Sequence, residues 1–295
     1  NNKSEPFEPR GYITDYYTDE AIKVIEKNKN RPFFLYLSHF APHNPLQALR
    51  DDYDHFHHIE GEFSEELKVY SGMLKALDRS VGRILDTLEK NNLTDNTLIV
   101  LTSDNGGANY IHLSDINKPY RGWKLTHFEG GLHVPFMAKW PNKIEPGIEF
   151  NAPIHANDIL PTFAAAAGAE LPDDRIIDGV NLLPFLQNHN SDMPHETLYW
   201  LQGRLQTVLH ENWKLITDHR TGKDWLFNVE SDPYERINLA SEMTLKVEEL
   251  KRLLNDHKKV QPPPLYDNTM SVPILIDKHN GYAFQDGDEF TYWDN

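Results

Sequence analysis

The apolar positions of this chain fall into runs whose period changes along its length. In "YYTDEAIKVIEKNKN", Ala21, Ile22, Val24 and Ile25 recur at helical spacing behind Thr18, whose hydroxyl suits an N-cap, with Asp19 and Glu20 in the first turn. "RPFFLYLS" is a continuous apolar run of strand length, the pattern of a strand buried on both faces. It leads into "HFAPHNPLQ", whose prolines enforce an ordered loop. From Ser64 to Lys90, the residues Leu67, Tyr70, Leu74, Leu77, Val81, Ile84, Leu85 and Leu88 keep one face of a long amphipathic helix, which stops at Asn91-Asn92. "NTLIVLTS" and "VPFMAKWP" predict two more strands, and "NDILPTFAAAAG" a helix capped by Asn157 or Asp158 and closed at Gly168.

Helices alternating with strands predict an α/β core whose sheet is parallel at its centre. Past Pro194 the pattern changes to "TLYWLQ", "LQTVLHE", "NWKLIT" and "DWLFNV", short strands separated by turn residues, as in an antiparallel meander. A last helix from Leu245 to Leu254 sets Val247, Leu250 and Leu254 on one side. From "QPPPLYDN" onward the chain is Pro-rich and aromatic without a period, the pattern of a tail that wraps over a surface. The expected organisation is an α/β part over 1–194, a small sheet-plus-helix domain over 195–260 and a tail over 261–295.

Net charge narrows the partners. At −16, the long-range field repels phosphate backbones and anionic lipid, so nucleic acid is not an expected partner. No apolar run approaches the roughly 18 residues that cross a bilayer. With no cysteine, the chain has no disulfide, thiolate metal site or cysteine nucleophile. Its opening lacks a basic and an apolar segment, so any secretory signal is absent or already removed, and the abrupt polar start suggests a chain that begins inside a longer protein.

Three stretches could carry chemistry. "LIVLTSDNGG" ends a strand in Asp104 and Asn105, where α/β sheets gather ligands and where two hard oxygens suit Ca²⁺ or Mg²⁺; an Asx turn closing the strand is the plainer reading. "SHFAPHNPLQ" fixes His39 and His43 near a strand end, where an imidazole can act as general acid. "YRGWKLTHFEGG" gathers Arg121, Trp123, Lys124, His127 and Glu129, cations beside an aromatic that suit an anionic sugar, or else a solvated loop. The run "DHFHH", with His55, His57 and His58, reads as a solvated loop and not as a metal site.

Taken in order, "RPFFLYLSHFAPHNPLQ", "YSGMLKALDRSVGRILDTLEKNNLTDNTLIVLTSDNGG", "RGWKLTHFEGGLHVPFMAKWP", "NDILPTFAAAAG", "DGVNLLPFLQ" and "NWKLI…WLFNVESDPYERINLA" resemble the formylglycine-dependent sulfatases, in particular the branch that includes N-acetylgalactosamine-4-sulfatase. The resemblance runs from about Gly11 to about Leu254. It implies an alkaline-phosphatase-like mixed sheet flanked by helices, a small C-terminal α+β domain, and hydrolysis of a sulfate ester by the complete protein. It also implies Asp104 and Asn105 as calcium ligands, His43 as the acid that protonates the leaving oxygen and Lys124 as the cation that grips the sulfate. Arg121 and Trp123 are the expected substrate-binding pair, favouring a sulfated carbohydrate over a small aryl sulfate. The expected location is periplasmic or secreted.

Departures accompany the likeness. The family's formylglycine arises from the first residue of a Cys/Ser-x-Pro-x-Arg motif; Ser4 of "SEPFEPR" comes nearest, but Glu8 stands where Arg is required. The family's two N-terminal calcium aspartates also precede the region matched here, so about the first third of a sulfatase is expected to be missing and this chain alone to be inactive. His133 stands where the family has Arg. Two other readings share the fold: a phosphodiesterase or phosphonate hydrolase of the same superfamily, which would more often carry Asp-His in place of Asp104-Asn105, and a non-catalytic sugar-binding relative.

Overall fold

The computed structural model describes residues 8–188, 192–266 and 268–294; Ser4 lies outside them. The chain divides into two compact units, Asn1–Thr97 with Trp140–Asn142, and Leu98–Lys139 with Lys143–Asn295, each described in its own frame.

The first unit is built on α1 (Ile13–Asn28), α2 (Arg50–Asp54) and α3 (Ser64–Lys90). α3 has the expected bounds, but its buried face is centred on Met73, Ala76 and Ser80, while Leu67 and Leu74 are exposed. Polar pairing explains the offset. Thr18, predicted as a cap, lies inside α1 with its Oγ1 2.6 Å from Ser80 Oγ, and Ser80 Oγ lies 2.9 Å from His39 Nε2, so the contact between the helices is a buried hydrogen-bond chain. Asp52, buried on α2, accepts from Lys75 Nζ at 2.9 Å and Arg79 Nη1 at 2.7 Å, which ties α2 to α3. Gly72 is needed there, since a Cβ would stand 2.9 Å from Ala48 Cβ.

"RPFFLYLS" is not a strand. Residues 32–40 lie in no helix or sheet, with Phe33, Leu35 and Leu37 half-buried and Phe34 and Tyr36 exposed. A ladder needs a second backbone, and apolar composition cannot supply one.

In the second unit β1 (Ile99–Thr102) is followed by α4 (Glu129–Leu132), a single turn, and β2 (Phe136–Lys139). β1 and β2 pair antiparallel from Ile99↔Lys139 to Thr102↔Phe136, where a parallel sheet was expected. α5 (Ile159–Ala167) ends at Gly168 with φ 66°, as the Gly predicts, and a further turn, α6 (Leu183–Leu186), follows. The side chain of Asp158, fully buried before α5, accepts from the amides of His155 and Val180 and lies 2.8 Å from His195 Nε2.

The meander forms as read: β3 (Thr197–Gln202), β4 (Leu205–His210), β5 (Trp213–Asp218) and β6 (Lys223–Asn228) make one antiparallel sheet in sequence order. α7 (Thr244–Val260) buries Val247, Leu250 and Leu254 against Val208, Leu215 and Leu226 of that sheet. A second core cluster joins Leu205, Ile216, Trp225 and Phe227 to Phe128 and Ile276.

Ile276 belongs to the tail, which does not merely wrap. β7 (Ser271–Leu275) and β8 (Phe290–Asp294) pair antiparallel from Ser271↔Asp294 to Leu275↔Phe290. Pro273 inside β7 hides the strand from a propensity reading, and a two-stranded ribbon, all edge, tolerates it.

Candidate active site

The loop leaving β1 carries Asp104 and Asn105. Ser103 Oγ donates to Asn105 O at 2.9 Å, and Gly106 N donates to Gly131 O at 3.0 Å. The approach is so close that a Cβ on Gly106 would stand 1.8 Å from Gly130 O. Gly107 N donates to Asn117 Oδ1 at 2.7 Å, while Asn117 Nδ2 donates to Gly107 O at 2.9 Å and lies 3.1 Å from Gly122 O. Lys124 N donates to the same Gly107 O at 2.9 Å. These bonds bring the loop of Asp104 and Asn105 against the loop of Lys124.

Asp104 is exposed and Asn105 half-buried. The two offer a carboxylate and an amide oxygen where Ca²⁺ takes roughly 6 to 8 oxygens, and among the described residues no group of three His, Asp or Glu could hold a metal. They fit as two ligands of a calcium site and not as a whole one. Lys124 is half-buried, and no ion pair of its ammonium is found among the described residues.

Arg121 and Trp123, expected to face substrate, are turned into the protein's own interior. Arg121 Nε and Nη2 each lie 2.7 Å from a carboxylate oxygen of Asp277, Nη2 also pairs with Glu289, and the guanidinium stands 5.0 Å from the centre of the Phe128 ring. Burial opposes its charge, but the hydrogen bonds it donates to Asp277 and Glu289 win and hold its pKa above the ordinary arginine value. Glu289 responds in kind: burial alone would raise it, and its bonds from Lys223 and Arg121 hold it down to about 2. A cation so neutralised has no charge left for a sulfate. Trp123 is 4% exposed, so its ring face is not available to a sugar. Its backbone N donates to Thr126 Oγ1 at 3.1 Å.

Below the loop lies a buried cluster. Lys214 Nζ is 2.6 Å from Glu129 Oε1 and 2.8 Å from Glu235 Oε1. Burial raises Glu129, but the charge and hydrogen bonds of Lys214 and His133 together outweigh it and leave it at about 2, whereas burial prevails at Glu235 and raises it. Glu129 Oε2 meets His133 Nδ1 at 2.9 Å, and the His133 ring stacks on Tyr120 at 4.4 Å, so the imidazole ties Tyr120 to the buried cluster. His127, fully buried, is pushed down to about 3 by desolvation and by Lys214.

His43 belongs to the first unit. It is exposed, its Nδ1 lies 2.7 Å from Asn44 O and its ring 5.2 Å from that of Phe40, which leaves Nε2 as the nitrogen that can face a substrate. His39 is more deeply placed, and burial lowers its pKa. His57 Nδ1 meets Asp54 O at 3.0 Å, and the "DHFHH" run forms no metal group among the described residues.

The site therefore depends on residues that the sequence reading passed over. Asn117, Asp277 and Glu289 mark no period and sit in no strand or helix that would single them out.

The sequence model of the sulfatase family matches residues 1–169, and that of the C-terminal part of N-sulphoglucosamine sulphohydrolase matches residues 122–260. The chain belongs to the sulfatase family. Among curated proteins it is 38% identical over 205 residues to the uncharacterized sulfatase YdeN of Escherichia coli (strain K12), covering 69% of this chain and 36% of that protein. It is 34% identical over 236 residues to steryl-sulfatase of Rattus norvegicus, covering 78% and 39%. The chain thus spans less than half the length of these relatives. Among solved structures it resembles Ps i-CgsB with a TM-score of 0.77 at 34% identity, over 87% of this chain and 56% of that one. The fold is alkaline-phosphatase-like, mixed α/β with sheets flanked by helices. The phosphonate monoester hydrolase SpPMH from Silicibacter pomeroyi, at 18% identity and a TM-score of 0.64, shares the fold alone.

Proposed function

We propose that this chain forms the leaving-group side of a sulfate-ester hydrolase. The observation that carries the reading is the position of Lys124: an ammonium without an ion pair among the described residues, bonded through its backbone to Gly107 of the loop that presents Asp104 and Asn105. In a chain of net charge −16, a cation held there marks a place for an anion. Cleaving the S–O bond builds negative charge on the departing oxygen; we propose Lys124 for stabilising that charge and, from the family resemblance alone, His43 Nε2 as the proton donor.

The sulfatase family is generally dependent on calcium and formylglycine. Asp104 and Asn105 would hold Ca²⁺, with Mg²⁺ as the second choice, and the ion would add positive charge toward the sulfate oxygens. Formylglycine has no matching motif in this chain, since Cys is absent and Glu8 replaces the required Arg.

The substrate class we propose is a sulfated carbohydrate, with aryl sulfates as surrogate substrates. The support comes from the relative at 34% identity, Ps i-CgsB, solved in complex with k-i-k-neocarrahexaose. No helix among the described residues is long and apolar enough to cross a membrane, and we propose a periplasmic or secreted location and no nucleic-acid partner. The organisation we propose is a catalytic part over 1–194, a sheet-plus-helix domain over 195–260 and a tail over 261–295. The complete protein should hydrolyse sulfate monoesters faster than phosphonate monoesters of the same alcohol. The reverse preference would transfer the site to the phosphonate hydrolases, and tight sugar binding without turnover would make it a binding protein.

A further inference from the structure

The segment joining β7 to β8 lies beyond the residues that either family model matches, yet it reaches both loops of the candidate site. Ile276 anchors it: fully buried in the cluster with Phe128, Trp225 and Phe227, its amide donates to Glu289 O at 3.0 Å. Asp277 then grips Arg121 with two bonds of 2.7 Å, and Glu289 holds the same guanidinium. Asn280 turns the other way. Its amide donates to Asn109 O at 3.2 Å, and Asn109 Nδ2 donates to Asn280 Oδ1 at 3.0 Å. Asn109 is fully buried and continues the loop of Asp104 and Asn105, while Arg121 lies in the loop of Lys124.

Loops without regular structure hold a side chain only as well as their cross-ties allow. A bidentate Arg–carboxylate pair fixes orientation as well as distance, because the planar fork meets both oxygens. Burying Arg121 costs desolvation that two carboxylates offset, and such an expense is difficult to explain for a loop free to move.

We propose that Asp277 and Asn280 are positioning residues, and that the C-terminal hairpin is a strap fixing the loop of Lys124 against the loop of Asp104 and Asn105, with Arg121 as its post. The proposal rests on the sulfatase reading of those two loops. It gives the tail a part in the reaction without any contact with substrate, and it explains why a positive residue so near Lys124 is withheld from the cleft.

The test uses the complete protein. Asp277→Asn, Asn280→Ala, Arg121→Lys and the double variant Arg121→Lys with Asp277→Asn are compared with wild type for kcat and KM on p-nitrophenyl sulfate, inhibition by inorganic sulfate, and thermal midpoint. A shift of about 1 Å in Lys124 should lower kcat by about tenfold to a hundredfold in Asp277→Asn and weaken sulfate inhibition, with the midpoint nearly kept. The double variant should lose no more than Arg121→Lys alone, because the two act through one contact. If Asp277→Asn does not fold, Asn280→Ala, which removes only a neutral bond, carries the same comparison. Unchanged kcat and sulfate inhibition per folded molecule in the folded variants would overturn the strap. A wild-type protein that turns over no sulfate ester would instead sink the underlying sulfatase reading.

Discussion

Asn117 and Gly107 are joined by reciprocal hydrogen bonds, Gly107 N to Asn117 Oδ1 at 2.7 Å and Asn117 Nδ2 to Gly107 O at 2.9 Å. One amide side chain thus reads the backbone of the loop that carries the candidate metal ligands, and the carbonyl it grips also receives the Lys124 amide. Asn117→Ala should cost about 1–3 kcal/mol, since it strips a partner from a half-buried backbone amide. In the complete protein it should also weaken Ca²⁺ binding and lower kcat together. Calorimetric titration of the metal beside a thermal melt checks this: calcium affinity equal to wild type would limit Asn117 to stability.

Trp123→Ala should act on stability and not on substrate choice. The indole is 4% exposed, and removing a buried Trp costs about 3–5 kcal/mol through lost burial and the cavity left behind. Denaturant titration should show that loss, with the ratio of activity on a sulfated oligosaccharide to that on an aryl sulfate unchanged. A selective loss on the oligosaccharide would return the ring face to the substrate.

Glu129 and Glu289, both held at about 2, make the fold sensitive to acid. A carboxylate whose folded pKa lies below its unfolded value, about 4.3, contributes stability that is complete above that value and is lost as pH falls toward 2. Glu235, raised by burial, works in the opposite direction: it favours the folded state when protonated, and that contribution fades as pH rises through its folded value. Melts between pH 7 and pH 2 should show stability falling below about pH 4.3. Glu289→Gln should flatten that fall, and an unchanged slope would mean that other carboxylates set it.

Much of this architecture could be read from local periodicity. The bounds of α3, the four strands of the meander and the apolar face of α7 each follow from side chains a few residues apart, where spacing alone decides which face is buried. The run at 32–40, which joins no sheet, and the antiparallel pairing of β1 with β2 could not be read so, because a ladder depends on a partner elsewhere in the chain. Site positions separated in the same way. Asp104 and Asn105 stand out at a strand end, whereas the fate of Arg121 is decided by Asp277, 156 residues away, and a cation beside an aromatic reads alike whether it faces a ligand or the core.

His43→Ala should impair poor leaving groups far more than good ones. A sugar alcohol needs a proton as it departs, whereas a nitrophenolate does not. The two kcat/KM values, measured in the complete protein on a sulfated sugar and on p-nitrophenyl sulfate, should diverge by at least about tenfold in the variant. Equal losses would make His43 a sulfate-positioning residue.

Lys124 is proposed to supply charge to the transition state of sulfate-ester cleavage. The decisive comparison is kcat/KM for p-nitrophenyl sulfate in the complete protein with Ca²⁺, for wild type and Lys124→Ala. Wild-type turnover should fall by roughly a hundredfold or more in the variant, as for loss of a preorganised group at developing charge, with the thermal midpoint little changed. A Lys124→Ala enzyme that is folded and nearly as active as wild type would contradict it.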